Sequence, residues 1–216
     1  MNLTKHAHAC ISIEDRGAHI LLDPGTFTPN AHELLARADV VLVTHSHFDH
    51  FDAGAVVAAL GARPELQVFG PADVINCLTE AGANADQAHS VSDHQRLNLA
   101  GFDIAVFGGS HANIHEGIAV PTNVGYLIAD TVYHPGDSYV IPDAPVHTLL
   151  IPSSGPWTKV AEAIDFVRAI APRQTVPIHD VLLSEVGVRS FAMFLGESGL
   201  TGIPLRQLAP GDSVEI

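Results

Sequence analysis

Between positions 44 and 51 the chain reads Thr-His-Ser-His-Phe-Asp-His-Phe, which crowds three imidazoles and a carboxylate into six consecutive residues. Imidazole and carboxylate are the donors preferred by Zn²⁺ and its transition-series neighbours, so this stretch points to a metal site. The run before it, Asp39-Val-Val-Leu-Val-Thr44, is apolar and β-branched and predicts a buried strand. After it, Ala53, Val56, Val57 and Leu60 recur at helical spacing. His45 to His50 therefore form a strand-to-helix connection, where neighbouring side chains fan out. On this reading His45 and His47 reach one ion, while Asp49 and His50 reach a second a few ångströms away.

Further donors follow at strand ends: His111 in Gly108-Gly-Ser-His-Ala, Asp137 in His134-Pro-Gly-Asp-Ser138, and His179 in Val176-Pro-Ile-His-Asp180. Together with the His-x-His-x-Asp-His run and the earlier Leu21-Leu-Asp-Pro-Gly25, this ordered set resembles the signature of the metallo-β-lactamase fold superfamily over nearly the whole chain. The resemblance implies an α/β fold, a four-layer αβ/βα sandwich with metals at one edge between the sheets. It also implies that His45, His47 and His111 hold one ion, that Asp49, His50 and His179 hold another, and that Asp137 is shared. The Pro-Ile-His ending, the compact length and the opening His6-Ala-His-Ala resemble the small metal-dependent hydrolase branch that includes ascorbate-phosphate lactonases.

The length of 216 residues suits one domain, 1–216, able to bury roughly 70–75% of its unfolded surface without a staple. Charged residues make up only 16%, below the usual ~25%, which fits a layered body with many buried strands and leaves enough apolar surface for a homo-oligomer. The formal charge is −14, and the ten lysines and arginines form no basic run, so a nucleic-acid partner is not expected. Cys10 and Cys77 are too few for a disulfide framework and read as small buried hydrophobes in a reducing compartment. The first twenty residues lack a signal-like apolar core, and no run of ~18 apolar residues occurs, so no membrane partner is expected and a cytoplasmic location is.

In chain order, 7–14 and 18–23 predict a hairpin ending at Asp23. A cap or turn is the ordinary use of such an Asp; the resemblance implies instead a carboxylate that hydrogen-bonds the His45 loop. His8 is either an ordinary strand residue or a neighbour of the metals. Strand and helix then alternate to about residue 82, and 89–91, 95–99 and 102–107 predict an antiparallel meander. The loop 108–121 holds His111 and His115. His111, nearer the strand end, is the expected ligand, which leaves His115 either solvated or facing substrate. Segments 147–151, 158–170 and 175–178 form a β-α-β unit, whose parallel strands bring the loop 152–157 beside His179. A helix over 187–195 and a strand pair, 204–208 with 213–216, close the chain.

Two divalent ions, Zn²⁺ foremost with Mn²⁺ or Fe²⁺ as alternatives, would activate a bridging hydroxide at neutral pH, with Asp49 orienting it or taking its proton. No Gly-x-x-x-x-Gly-Lys, Gly-x-Ser-x-Gly or Cys-x-x-Cys run competes with this reading. The expected activity is hydrolysis of a small-molecule lactone, ester or phosphate-bearing ester; the alternatives are a phosphodiesterase or nuclease of the same fold, and a non-catalytic metal-binding domain. Trp157, the only tryptophan, and Lys159 lie in the loop beside His179. They are either packing and solvated residues or a flat ring and a cation suited to an anionic substrate.

Overall fold

The computed structural model describes residues 1–216. Strands β1 (Asn2–Ala7), β2 (Cys10–Asp15) and β3 (Ala18–Leu22) run as an antiparallel meander, and β4 (Val40–Leu42), β5 (Gln67–Gly70) and β6 (Ala88–Ser90) extend it in parallel register from β3. The second sheet contains β7 (Arg96–Leu99), β8 (Phe102–Gly108), β9 (Val124–Ile128), β10 (Val132–His134), β11 (Thr148–Pro152) and β12 (Gln174–Ile178), paired side by side in that order. The last strand, β13 (Ser213–Glu215), returns to pair with β1 and makes the first sheet seven-stranded.

Three apolar layers hold these sheets. Between them, Ile11, Ile13, Ile20 and Leu42 of the first sheet meet Ile104, Val106, Tyr126 and Val176 of the second. Helices α1 (Ala31–Leu35), α2 (Ala53–Ala62) and α3 (Ala72–Glu80) cover the outer face of the first sheet through Leu35, Val56, Leu60, Val74 and Leu78. Helices α4 (Val160–Ile170) and α5 (Glu185–Leu195) cover the second through Ile164, Phe166, Val167 and Leu195. The architecture is thus helix, sheet, sheet, helix, the αβ/βα sandwich expected. Burying each large apolar side chain contributes roughly 1.5–3 kcal/mol, so the central layer, the largest of the three clusters, makes the largest single contribution.

Asp52 caps α2 as its position suggests, accepting from the Ala55 amide at 3.0 Å. The β-α-β unit is present, with β11 and β12 in parallel register. Three local expectations are corrected. The 7–14 run is broken at His8, whose φ of 55° turns the chain between β1 and β2. The 89–107 meander is divided, because β6 completes a crossover from β5 through α3 and belongs to the first sheet, whereas β7 opens the second. The closing pair is divided likewise: β13 joins β1, while Leu205 makes a single parallel bridge to Thr175.

Candidate metal centre

β4 ends against the second sheet, where the Tyr126 hydroxyl donates to the Val43 carbonyl at 2.9 Å and the Val124 amide to the Thr44 carbonyl at 2.9 Å. From that anchor the chain enters the His45 loop, which rests on Asp23 to Thr26. Asp23, fully buried, accepts from the Thr44 amide (2.8 Å), the Thr44 hydroxyl (2.7 Å) and the His50 Nδ1 (2.7 Å). One carboxylate thereby sets both the start of the loop and the ring plane of His50, the orienting role the resemblance implies. Gly25 lies so close that a Cβ there would stand 1.9 Å from the Asp49 carbonyl oxygen, so only glycine fits beneath the loop.

Three strands of the second sheet that point the same way, β8, β10 and β12, deliver His111, Asp137 and His179 from their C-terminal ends. His45, His47 and His111 converge with ring centroids 4.7–5.0 Å apart. His8, Asp49, His50 and His179 converge as a second group. Asp137 joins the two, with Oδ1 3.0 Å from His50 Nε2 and Oδ2 3.3 Å from His111 Nε2 and 3.1 Å from His179 Nε2. All seven expected ligands therefore lie in one cluster.

The donor atoms fit divalent ions. Nε2 of His45, His50, His111 and His179 and Oδ1 of Asp137 are buried without a hydrogen-bond partner, a cost of about 1–3 kcal/mol each if nothing else engages them. The Nε2-to-carboxylate separations of His50, His111 and His179 from Asp137 and Asp49, 3.0–3.4 Å, match the ~3.3 Å edge of a tetrahedron whose bonds are about 2.0–2.1 Å. Burial holds the His45 and His47 imidazoles below their ordinary range, in the neutral form a metal requires. Burial also pulls on His50, but the Asp137 and Asp23 carboxylates outweigh it and raise that ring. Burial works against ionisation of Asp137 too, and the facing His50 overcomes it and holds the carboxylate charged.

The remaining candidates divide. His8 is buried in the centre, its Nε2 3.1 Å from Asp49 Oδ2 and its ring 3.8 Å from that of His179. Trp157, also buried, donates from Nε1 to Asp137 Oδ2 at 3.0 Å while its ring lines the cavity above, so it is more than packing. Two residues assigned to the substrate side do not reach it. Lys159, which begins α4, turns outward, and its ammonium pairs with Glu162 at 2.9 Å. His115 is exposed and accepts from the Gly117 amide at 3.0 Å, while Ile114 lines the cavity in its place.

Sequence reasoning passed over Asn123 and His134. Buried Asn123 accepts from the Asp137 amide (2.9 Å) and donates to the Pro135 carbonyl (2.9 Å), which shapes the Pro-Gly-Asp turn. His134 accepts from the Gly136 amide (3.1 Å) and spans to the Ala9 carbonyl (3.0 Å). The proximity of His134 to that turn was the one available signal for it.

Residues 2–179 match the family described as beta-lactamase superfamily domain. The chain belongs to this superfamily. Among its superfamily relatives, protein Rv0786c of Mycobacterium tuberculosis is 34% identical over 189 residues, covering 85% of this chain and 86% of its own. A UPF0173 metal-dependent hydrolase of Aeropyrum pernix is 28% identical over 196 residues, covering 82% and 81%. A metallo-β-lactamase fold protein of Bacillus subtilis, 14% identical, superposes with a TM-score of 0.74 over 99% of this chain and 98% of its own. The superfamily member described here therefore has the metallo-β-lactamase fold.

Proposed function

We propose that the protein is a metal-dependent hydrolase of a small-molecule lactone, ester or phosphate-bearing ester, working with two divalent ions, Zn²⁺ foremost. The observation that carries this reading is the convergence of partnerless buried donors on two centres joined by Asp137. The metal-dependent hydrolase part of this reading agrees with the name of its relative in Aeropyrum pernix. His45, His47 and His111 would hold one ion and Asp49, His50 and His179 the other. Such ions, when bound, supply Lewis acidity and bring the pKa of water from about 15.7 toward about 7.

The rest of the chemistry belongs to the chain. Asp49 lines the cavity, and although burial opposes its charge, the neighbouring His179 and His8 rings hold its carboxylate below the ordinary range. It is placed to orient the nucleophile and to take its proton at Oδ2, with His8 Nε2 behind it. Trp157 Nε1 and the Asn123 side chain fix Asp137 from two sides. Phe27, Phe48 and Leu182 line the cavity above the reacting centre. The free thiols of Cys10 and Cys77 support a reducing cytoplasm as the site of action; no helix is long and apolar enough to cross a membrane.

The test is elemental analysis of reconstituted protein with hydrolysis of an aryl acetate, a six-membered lactone, an aryl phosphate and a bis-aryl phosphodiester. Two ions per chain and turnover of the carboxylic substrates are expected. Turnover confined to the phosphodiester would move the assignment to a phosphodiesterase. A fully loaded protein inert on every substrate would overturn the hydrolase reading.

A further inference from the structure

Above the metal centre lies a cavity of about 300 Å³, at the small end of ligand pockets. Phe27, Phe48, Ile114, Pro156, Trp157 and Leu182 form its apolar wall. Its polar lining consists of His47, Asp49, His111, Asp137 and His179, all members of the metal cluster, and the one indole N–H is spent on Asp137. No side chain is left over to recognise a charged or hydrogen-bonding group of a substrate.

None of the ten lysines and arginines lines this space. Lys5 is buried against Asp180 and the Pro177 carbonyl, Lys159 pairs outward with Glu162, and Arg189 pairs with Glu185 on α5. An anionic group placed beyond the reacting centre would be desolvated against aromatic and aliphatic walls with no side-chain cation beside it, the only positive charge being that of ions already engaged by Asp49, Asp137 and the scissile group, which is unfavourable. An apolar group there would cover surface that water now wets: Phe48 and Leu182, both in the lining, are each 62% exposed. Isolated exposed hydrophobes are ordinary, but these two belong to one apolar lining with Phe27, on whose ring Phe48 stands edge-on at 5.6 Å.

We propose that, within the hydrolase reading above on which this rests, the cavity selects substrates whose group beyond the scissile bond is an uncharged short alkyl chain or small ring, and rejects those carrying a second anionic group there. Of the three expected substrate classes, this favours apolar lactones and esters over phosphate-bearing esters.

Hydroxamates test it, since they share one anchor and differ only in the tail. Zinc-reconstituted protein would be titrated with aceto-, butyro- and hexanohydroxamic acid and with the monohydroxamate of adipic acid, which ends in a carboxylate, following the fluorescence of Trp157. Affinity should rise about two- to fourfold per added methylene, and hexanohydroxamate should bind at least tenfold tighter than its carboxylate-ended counterpart. Leu182→Lys, or Ile114→Lys if that variant fails to fold, should shrink this preference at least fivefold without changing zinc content. Equal affinity for the two tails, or preference for the carboxylate, overturns this inference and leaves the hydrolase reading standing. Zinc-loaded protein that binds no hydroxamate overturns both.

Discussion

Asp49 faces the cavity and touches the second group of imidazoles, with His8 at 3.1 Å and His179 at 3.4 Å. It takes no part in the triad of His45, His47 and His111. Asp49→Ala should therefore lower kcat by at least about 10²-fold, the usual worth of a positioned acid or base, while elemental analysis still finds the first ion. Near-normal turnover would remove Asp49 from the mechanism. A second residue-scale consequence concerns His6, whose ring is lowered from 6.5 to about 4, chiefly by burial and then by His19, with Glu14 opposing and Arg37 adding slightly. Its folded form is neutral where the unfolded chain already binds a proton. Its contribution is present above pH 6.5 and is lost as pH falls toward 4. The drop in Tm between roughly pH 7 and pH 5 should be smaller in His6→Gln than in the parent; equal drops would refute the assignment.

At the scale of elements, the metal loop behaves as a lid clamped onto the turn after β3. The Thr26 amide donates to the Phe48 carbonyl (2.8 Å) and the Asp52 amide to the Pro24 carbonyl (3.0 Å), so the two segments share their backbone bonds and leave no room between them. His8, Asp23 and His179 all take left-handed backbone at 46–57°, a concentration of strain at one place that the surrounding structure must enforce. The His179 amide donates to the His8 carbonyl at 2.9 Å, so two of these residues hold each other. Gly25→Ala should push the loop off its seat, with a loss of several degrees in Tm and of bound metal. Gly61→Ala, in α2 with open space around it, should be neutral or stabilising by up to about 1 kcal/mol. Equal melting temperatures for the two variants would show that the loop does not need the close approach.

Across the whole molecule, the two sheets are joined beneath the centre by Lys5. It is fully buried on β1, donates to the Pro177 carbonyl of β12 at 3.0 Å, and pairs with Asp180, the residue after His179. This clasp ties the first strand of one sheet to the last strand of the other, next to a metal ligand. Lys5→Met would leave Asp180 unpaired in a mostly buried position and should destabilise by about 2–4 kcal/mol. Adding Asp180→Leu should recover much of that loss, because a buried ion pair replaced as a unit by apolar groups is often neutral. Denaturant unfolding of the single and double variants measures both; an undiminished loss in the double variant would mean that Lys5 acts through packing alone.

What the sequence determined by itself was everything that depends on neighbours along the chain. Residues 39–60 could be read as strand, donor loop and helix because periodicity and ligand chemistry are local, and the β-α-β unit of β11, α4 and β12 followed from the same rule. The order His111, Asp137, His179 was legible through the family resemblance, not through spacing. Tertiary structure alone decided which sheet each strand joins, since alternation marks a strand but carries no information about its partner; hence the transfer of β6 to the first sheet and of β13 to β1. It also decided where side chains point once a strand ends. His8 turns into the centre because β1 breaks at a left-handed residue bonded to His179, whereas Lys159, two residues after Trp157, turns away because the first turn of α4 offers it Glu162. Direction at such a junction is set by contacts with residues well over a hundred positions away or one helical turn ahead, and only the folded chain brings them together.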